Sequence, residues 1–158
     1  MEEAGALYRQ GIRFFCCIAA VFIVQWEETG GRSMKIYFVR HGETDMNARN
    51  MFYGWYDADI NEKGIAQAEE LRAAFETIHI DAIYSSDLKR AYHTAEIIAN
   101  GREIQPVPEI RELYYGDWEN RTWEEMSEAD LEEWHGWLTD WVDRRMPNGE
   151  AFMEFYDR

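Results

Sequence analysis

An alternation of short apolar runs and amphipathic segments places the strongest constraint on the fold of this chain. Residues 36–39 are β-branched or aromatic and contain no breaker, which predicts a short buried strand. Asn61 then precedes residues 62–78, whose apolar positions repeat at helical spacing, and residues 80–84 and 87–99 repeat the order of strand and helix. Strands that alternate with helices usually form parallel sheets covered by helices, so the sequence predicts an α/β domain.

Two stretches delimit the second pair of strand and helix. Ser85 and Ser86 end the strand and are candidate caps for the helix that follows. Residues 105–110 contain two prolines, which predict at most a short extended segment at an edge of the sheet.

The acidic last part of the chain predicts one more helix. Two nested capping signals, Thr122 with Glu125 and Ser127 with Asp130, indicate its start, and we expect it to run to about residue 145. One stripe of this helix is apolar and aromatic, which is more typical of core packing than of a binding surface. The stripe consists of Leu131, Trp134, Leu138 and Trp141.

The composition restricts the compartment and the partners. A chain of 158 residues with 46% hydrophobic residues can bury the core of one domain without disulfides. The formal net charge of −15 disfavours nucleic acid, because the sequence contains no basic patch that would offset repulsion of the phosphate backbone. Cys16 and Cys17 are adjacent, which argues against a disulfide between them and favours a reducing cytoplasm, with palmitoylation as the alternative.

Residues 1–33 precede the predicted domain. Residues 14–24 within them are uninterrupted and apolar. As a helix this run would extend roughly 17 Å, too little to cross a hydrocarbon core of about 30 Å. We interpret residues 1–33 as an extension outside the domain, either an apolar helix or upstream sequence translated ahead of a natural start at Met34. A secretory signal, a membrane contact through residues 12–26 and a surrogate strand supplied to the sheet are further alternatives.

Polar residues follow each predicted strand. Arg40 and His41 come directly after the first strand, in FVRHGETDMN, and Arg90 lies near the start of the helix after the second strand. Glu112 lies in the loop after the third extended segment. Ligand sites in α/β sheets lie at the carboxyl ends of the strands, so we expect these side chains to converge there.

Three ordered motifs resemble those of a known family. FVRHGET, SSDLKRAYHTA and RELYYGDWE are similar to the motifs of the histidine phosphatase superfamily, which includes the cofactor-dependent phosphoglycerate mutases. The resemblance covers the chain from Lys35 to its end. It implies a phosphoglycerate mutase-like fold, a three-layer α/β/α domain with a mostly parallel sheet.

The resemblance also implies roles for the polar residues. His41 would be the nucleophile that forms a phosphohistidine on a small phosphorylated metabolite. Arg40 and Arg90 would bind the phosphoryl oxygens, since a guanidinium matches their geometry and charge. Glu112 would protonate the leaving alcohol and then deprotonate water, which requires that burial raise its pKa.

Three further residues match substrate-binding positions of the family. Asn47 matches a residue that contacts phosphate, although a turn residue is an equal alternative from its spacing. Tyr53 and Gly54 match a loop whose backbone N–H groups can approach an anion. Neither a cofactor nor a metal is predicted, because no other cluster of His, Cys and carboxylate residues shows ligand spacing.

The motifs favour a phosphatase and leave a mutase as the alternative. GWYDADI resembles the mutase branch, whereas RELYYGDWEN resembles phosphatases of the alpha-ribazole and broad-specificity types. The basic insertion of the mutases has no counterpart after Glu112. Met46 and Met51 stand where other residues are common in the family, so the substrate is not predicted, and neither is the oligomeric state.

One expected element of the family has no match. The resemblance implies a second catalytic histidine on a strand downstream of Glu112, but the only later histidine, His135, lies within the tryptophan-rich predicted helix. We therefore expect residues 34–158 to correspond to the N-terminal two-thirds of the domain, truncated at the C-terminus. A fragment that binds phosphate without turnover is the resulting alternative.

Overall fold

The computed structural model describes residues 20–28 and 32–158, with side chains from residue 34 onward. The predictions for Cys16, Cys17 and the rest of the first 19 residues lie outside this part of the chain. The strands are β1 (Ala20–Glu28), β2 (Arg32–Arg40), β3 (Met51–Phe52), β4 (Ala82–Ser85), β5 (Gln105–Pro106) and β6 (Arg121–Thr122). The helices are α1 (Asp45–Ala48), α2 (Glu62–Phe75), α3 (Lys89–Ala99), α4 (Glu128–Thr139) and α5 (Phe152–Asp157). Short 3₁₀ segments are Pro108–Ile110, Gly116–Trp118 and Trp123–Glu125.

The main sheet has the order β2-β1-β4-β5. β1 pairs antiparallel with β2 and with β4, and β4 pairs parallel with β5. Consequently β2, β4 and β5 all run in one direction and β1 runs against them. A separate two-stranded sheet joins β3 to β6. The predicted α/β class is confirmed, as is the predicted edge segment, which becomes β5.

Residues 20–28 differ from the helical alternative proposed for the N-terminal segment. They form β1, which pairs on both sides, from Ala20 opposite Arg40 and from Val21 opposite Ser85. An apolar, β-branched run suits a helix or a buried strand equally well, and pairing with two neighbours satisfies its backbone groups as a strand. This is the arrangement that the surrogate-strand alternative describes. None of the described helices is long and apolar enough to span a membrane.

Helices α2 and α3 pack together against one face of the main sheet. Asn61 caps α2 as predicted, and its side chain accepts a hydrogen bond from the Gly64 N–H at 3.0 Å. The predicted serine cap of α3 is wrong, because the helix begins at Lys89 with Leu88 at its N-cap. Aliphatic and small side chains and one phenylalanine fill the interface. This sheet cluster consists of Val39, Phe75, Ile83, Ala95, Ile98 and Ala99.

A second core lies under the loops that follow β5. Both predicted capping boxes form, at Thr122 and at Ser127. Helix α4 nevertheless ends at Thr139 rather than near residue 145. The Asp140 N–H closes its last turn. Trp137 is buried on it, whereas Leu138 and Trp141 of the predicted stripe are exposed. This aromatic cluster consists of Leu113, Tyr115, Trp118, Met126, Trp137 and Met146.

Candidate active site

His41 lies at the carboxyl end of β2 and is buried, with 7% of its surface exposed. Its Nδ1 lies 2.7 Å from the Gly42 carbonyl oxygen. A carbonyl can only accept, so Nδ1 carries the proton and Nε2 keeps its lone pair. The peptide after His41 is held in turn by Thr94 of α3, whose hydroxyl accepts from the Gly42 N–H at 3.0 Å.

Glycine is required after His41 because α2 approaches the strand end closely. A Cβ on Gly42 would lie 2.5 Å from the carbonyl oxygen of Gly64, so any side chain would displace the helix. The Arg-His-Gly sequence therefore places a histidine at a strand end against which two helices pack.

The electrostatic environment keeps His41 neutral. Burial lowers the pKa of His41 to about 4, and the charges of Arg90 and Arg40 act in the same direction against the Gly42 hydrogen bond. A neutral ring with Nδ1 protonated presents a nucleophilic nitrogen at physiological pH.

Arg90 is the most buried charged residue of the site, with 1% of its surface exposed. Its Nη1 donates to the Tyr56 carbonyl at 3.0 Å and its Nη2 to the Gly54 carbonyl at 2.6 Å. The guanidinium lies 4.7 Å from the centre of the Tyr53 ring. Its Nε is buried and has no hydrogen-bond partner in the described part of the chain. Buried donors are normally paired, so this N–H is an unsatisfied donor among the described residues.

Glu112 is buried with 4% of its surface exposed. Burial raises its pKa to about 7. The Leu113 N–H, which donates to Oε1 at 3.2 Å, opposes this shift, as do the charges of Arg90, Arg40 and Arg158. A carboxyl with this pKa can donate or accept a proton near neutral pH.

Arg40, Arg90, His41 and Glu112 therefore share one site. Arg40 is exposed at the end of β2, and both arginines act electrostatically on His41 and on Glu112. This is the convergence that the ends of the predicted strands suggested. The arrangement combines a neutral imidazole, a carboxyl group with a pKa of about 7 and two guanidinium groups.

Asn47 has a structural role in the capping box of α1. Its Oδ1 accepts from the N–H and from the hydroxyl of Thr44, both at 3.1 Å, in the capping box of α1. The same hydroxyl lies 2.8 Å from the Tyr53 hydroxyl. Asn47 thus lies in a short helix rather than in a turn and has a local structural role, and binding of phosphate by Asn47 and Tyr53 stays a prediction.

The backbone N–H groups around Gly54 have an internal partner that the sequence did not predict. Oε1 of Glu119 accepts from the N–H of Gly54 at 2.9 Å and of Trp55 at 2.6 Å, and Oε2 accepts from Tyr56 at 2.6 Å. The expected approach of an anion is therefore made by a carboxylate of the chain itself. Glu119 lies 65 residues after Gly54 in the sequence, so no local pattern indicated this contact, although Glu119 is part of the motif RELYYGDWE.

The three other histidines are exposed or lie beside a carboxylate. His135 is exposed on α4, as its place in the predicted helix indicated. His79 is exposed near Asp81, and Nδ1 of His93 lies 2.9 Å from Asp59. Among the described residues, no group of three or more His, Cys, Asp or Glu side chains could hold a metal ion.

Comparison with known proteins gives consistent matches. The sequence profile of the histidine phosphatase superfamily (branch 1) matches residues 36–158. The adenosylcobalamin/alpha-ribazole phosphatase of Salmonella typhimurium is 37% identical over 127 residues, which cover 79% of this chain and 63% of that protein. A protein of Escherichia fergusonii named probable phosphoglycerate mutase GpmB is 38% identical over 128 residues, covering 79% of this chain and 59% of the relative.

Solved structures share the fold. The crystal structure of the alpha-ribazole phosphatase from Shigella flexneri has a TM-score of 0.68 and 32% identity, and the match covers 74% of this chain and 59% of that one. The chain thus spans less than two thirds of the length of the relatives it matches.

Proposed function

Because the chain belongs to the histidine phosphatase superfamily, we propose that its domain hydrolyses phosphomonoesters of a small metabolite through a phosphohistidine on His41. Burial and the adjacent arginines support a neutral ring, and the Gly42 carbonyl orients it. The relative named adenosylcobalamin/alpha-ribazole phosphatase supports a small phosphorylated metabolite as the substrate class.

The first step transfers the phosphoryl group to the enzyme. Nε2 of His41 attacks phosphorus, the bond from phosphorus to the ester oxygen breaks, and Glu112 gives its proton to the leaving oxygen. Products are the alcohol, the phosphohistidine and an ionised Glu112. Arg40 and Arg90 offset the charge on the phosphoryl oxygens, which is the main electrostatic demand of phosphoryl transfer.

The second step regenerates the enzyme with water. The carboxylate of Glu112 takes a proton from the water, whose oxygen attacks phosphorus. The bond from Nε2 to phosphorus breaks, so that neutral His41, protonated Glu112 and inorganic phosphate result. A pKa of about 7 suits Glu112 to both roles at neutral pH.

The buried Nε of Arg90 is the observation that carries this proposal. Two carbonyl oxygens hold the guanidinium in place, while Nε remains buried without a partner in the described residues. An unpaired buried donor on a cation costs stability unless a ligand satisfies it. A phosphoryl oxygen has the charge and the acceptor geometry that this donor requires.

A mutase is the second candidate, and relatives named probable phosphoglycerate mutase support it. Phosphatase relatives and the motif RELYYGDWEN support hydrolysis. The two differ in one assay. A mutase interconverts phosphoglycerates when primed by 2,3-bisphosphoglycerate, whereas a phosphatase releases inorganic phosphate from it.

Phosphate binding without turnover is a third candidate. The family resemblance implies a second catalytic histidine, and the later histidine of this chain, His135, is exposed on α4. The arginines and His41 would then bind a phosphoryl group that is not hydrolysed.

Hydrolysis of p-nitrophenyl phosphate by the 158-residue chain from about pH 5 to 8 tests the proposal. We expect His41→Ala to abolish release of p-nitrophenol and His135→Ala, the matched control, to leave it unchanged. Background rates in all three proteins, with phosphate affinity that depends on Arg90 in calorimetry, would support binding without turnover. Background rates with no phosphate binding would refute the site altogether.

A further inference from the structure

Glu119 lies on the side of the 54–56 loop opposite the Arg90 guanidinium. Its carboxylate accepts from the N–H groups of Gly54, Trp55 and Tyr56, and more distantly from Tyr115 at 3.4 Å. Three successive N–H groups on one carboxylate fix the path of the loop, because charged acceptors make the strong hydrogen bonds of proteins.

The same loop holds Arg90 by its carbonyl oxygens. Gly54 and Tyr56 accept from Nη2 and Nη1, at 2.6 and 3.0 Å. The Gly54 carbonyl and the Trp55 N–H belong to one planar trans peptide and point in opposite directions. Glu119 therefore binds one side of this peptide while Arg90 binds the other.

This arrangement orients the arginine without neutralising it. No hydrogen bond or ion pair joins Glu119 directly to Arg90 in the described contacts, so the positive charge remains available to a phosphoryl group. Successive hydrogen bonds polarise one another, which strengthens the carbonyl as an acceptor.

The loop also reaches the proton donor. The indole Nε1 of Trp55 donates to the carbonyl oxygen of Glu112 at 2.9 Å. A Cβ on Gly54 would lie 1.9 Å from the Leu113 carbonyl oxygen, so the loop lies directly on the segment that carries Glu112. Movement of the loop would displace the Glu112 backbone as well as the Arg90 guanidinium.

We propose that Glu119 is a positioning residue that fixes the Arg90 guanidinium through the Gly54–Trp55 peptide, an inference that rests on the proposed phosphoryl-binding role of Arg90. Glu119→Gln is the sharpest variant, since it keeps the shape and one acceptor oxygen. Its amide group places a donor against a backbone N–H, so one contact of the loop is lost.

The experiment follows the Arg90 Nε–H directly by ¹H–¹⁵N NMR and measures binding of inorganic phosphate by calorimetry. The arginine signal that disappears in Arg90→Lys identifies Arg90. Glu125→Gln is the matched control, because Glu125 also accepts a backbone N–H, that of Thr122 at 2.8 Å, in the capping box of Trp123–Glu125.

We expect Glu119→Gln to shift or broaden the Arg90 signal and to weaken phosphate binding about tenfold, whereas Glu125→Gln changes neither. In the Arg90→Lys background, Glu119→Gln should have little further effect on phosphate affinity, because the group that it positions is gone. Glu119→Asp keeps the charge on a shorter side chain and should give an intermediate shift. It also serves as the test if Glu119→Gln does not fold.

An unchanged Arg90 signal in Glu119→Gln and Glu119→Asp would overturn the proposal. So would equal weakening of phosphate binding by Glu119→Gln with and without Arg90. Failure of the proposed function has a different signature. In that case the wild-type chain does not hydrolyse esters, whether or not it binds phosphate, while the Arg90 signal still decides whether Glu119 positions it.

Discussion

The sheet cluster and the aromatic cluster hold different halves of the candidate active site. His41 follows β2, which contributes Val39 to the sheet cluster, and Arg90 lies in the first turn of α3, which contributes Ala95 and Ile98. Glu112 precedes Leu113 of the aromatic cluster. His41 and Arg90, the proposed nucleophile and one proposed phosphoryl ligand, are thus attached to one core, and Glu112, the proposed proton donor, is attached to the other.

The 54–56 loop connects these two halves. Its carbonyl groups accept from Arg90, its N–H groups donate to Glu119, and Trp55 donates to Glu112. The first core is built from local periodicity in strands and helices, and the second from large aromatic side chains under irregular loops. The relative positions of Arg90 and Glu112 therefore depend on contacts between two cores that are built differently.

The largest expected effect is on activity and concerns Glu112, on the aromatic side of the site. We expect Glu112→Gln to lower kcat/KM for an alkyl phosphate such as glycerol phosphate about 10²–10⁴-fold, because the leaving oxygen then lacks a proton donor. p-Nitrophenyl phosphate has a better leaving group and should be less affected. Steady-state kinetics with both substrates measures this, and equal losses would mean that Glu112 is not the acid.

Phosphate affinity and the pH dependence of kcat/KM are two controls for Glu112→Gln. Phosphate affinity should be retained in Glu112→Gln, since the arginines are intact. Wild-type kcat/KM for the alkyl phosphate should fall above about pH 7, where Glu112 ionises, and this alkaline limb should be absent in the variant. His41, with its pKa lowered to about 4, should set only an acid limb.

The next effect tests whether the two cores unfold together. Trp118 is 1% exposed, and Trp118→Ala should destabilise the fold by about 3–5 kcal/mol, whereas Ile98→Ala in the sheet cluster should cost about 2–5 kcal/mol. Urea unfolding followed by tryptophan fluorescence reports on the aromatic cluster, and far-ultraviolet circular dichroism reports on the helices. Coincident midpoints in each variant indicate one cooperative unit.

Different unfolding midpoints from fluorescence and from circular dichroism would contradict a single cooperative unit. If Ile98→Ala lowered only the dichroism midpoint, the cores would be independent, and the 54–56 loop would not couple them energetically. A surface variant, His135→Ala, provides the baseline because His135 is exposed on α4.

The sequence predicted the first core far better than the second. Asn61 and the apolar positions of α2 are local signals, and they identified the helix correctly. The burial of Trp137 was not predicted, because helical spacing alone does not decide which of two adjacent helix faces the loops cover. Helix α4 is also shorter than predicted: it ends at Thr139, and a loop leads from there to Arg145, which forms a β-bridge with Ala151. Residues 20–28 carried an apolar run that fits a helix or a strand, and only pairing with β2 and β4 distinguishes them.

The site shows the same division. Arg40, His41 and Arg90 lie at the ends of elements that periodicity identified, so their convergence was predictable. Glu112 lies in the loop after the predicted edge segment, and its motif indicated its place. The position of Glu119 was not predictable, because its three contacts join segments 63–65 residues apart along the chain. Contacts of that range are decided by tertiary packing rather than by local propensity.

A stability effect of intermediate size tests the burial of Glu112. Its folded pKa of about 7 exceeds its usual value of 4.5, so the folded state binds the proton more tightly than the unfolded state. The associated stability is fully present below pH 4.5 and is lost as the pH rises through 7. A difference of that size corresponds to about 3 kcal/mol.

The measurement compares urea unfolding of wild type and Glu112→Gln at pH 4 and pH 8. We expect the free energy of unfolding of the variant, relative to wild type, to increase by about 3 kcal/mol between these pH values. The pKa shift of His41 acts in the opposite direction in part of this range, but it is common to both proteins and cancels. A pH-independent difference would mean that Glu112 is solvated.

The smallest expected effect addresses the sheet side alone. The Asn61 side chain accepts from the Gly64 N–H at 3.0 Å, and Gly64 is the residue against which Gly42 packs beside His41. Asn61→Ala should destabilise the fold by about 1 kcal/mol through loss of the cap, whereas Asn61→Ser should retain most of the stability. Urea unfolding measures both variants.

Because α2 supports the peptide after His41, Asn61→Ala should also broaden the NMR signal of the Gly42 N–H while the Leu113 N–H beside Glu112 stays unchanged. Equal broadening of the two signals would show that a local loosening of the sheet side spreads to the aromatic side, and that the two halves of the site move as one.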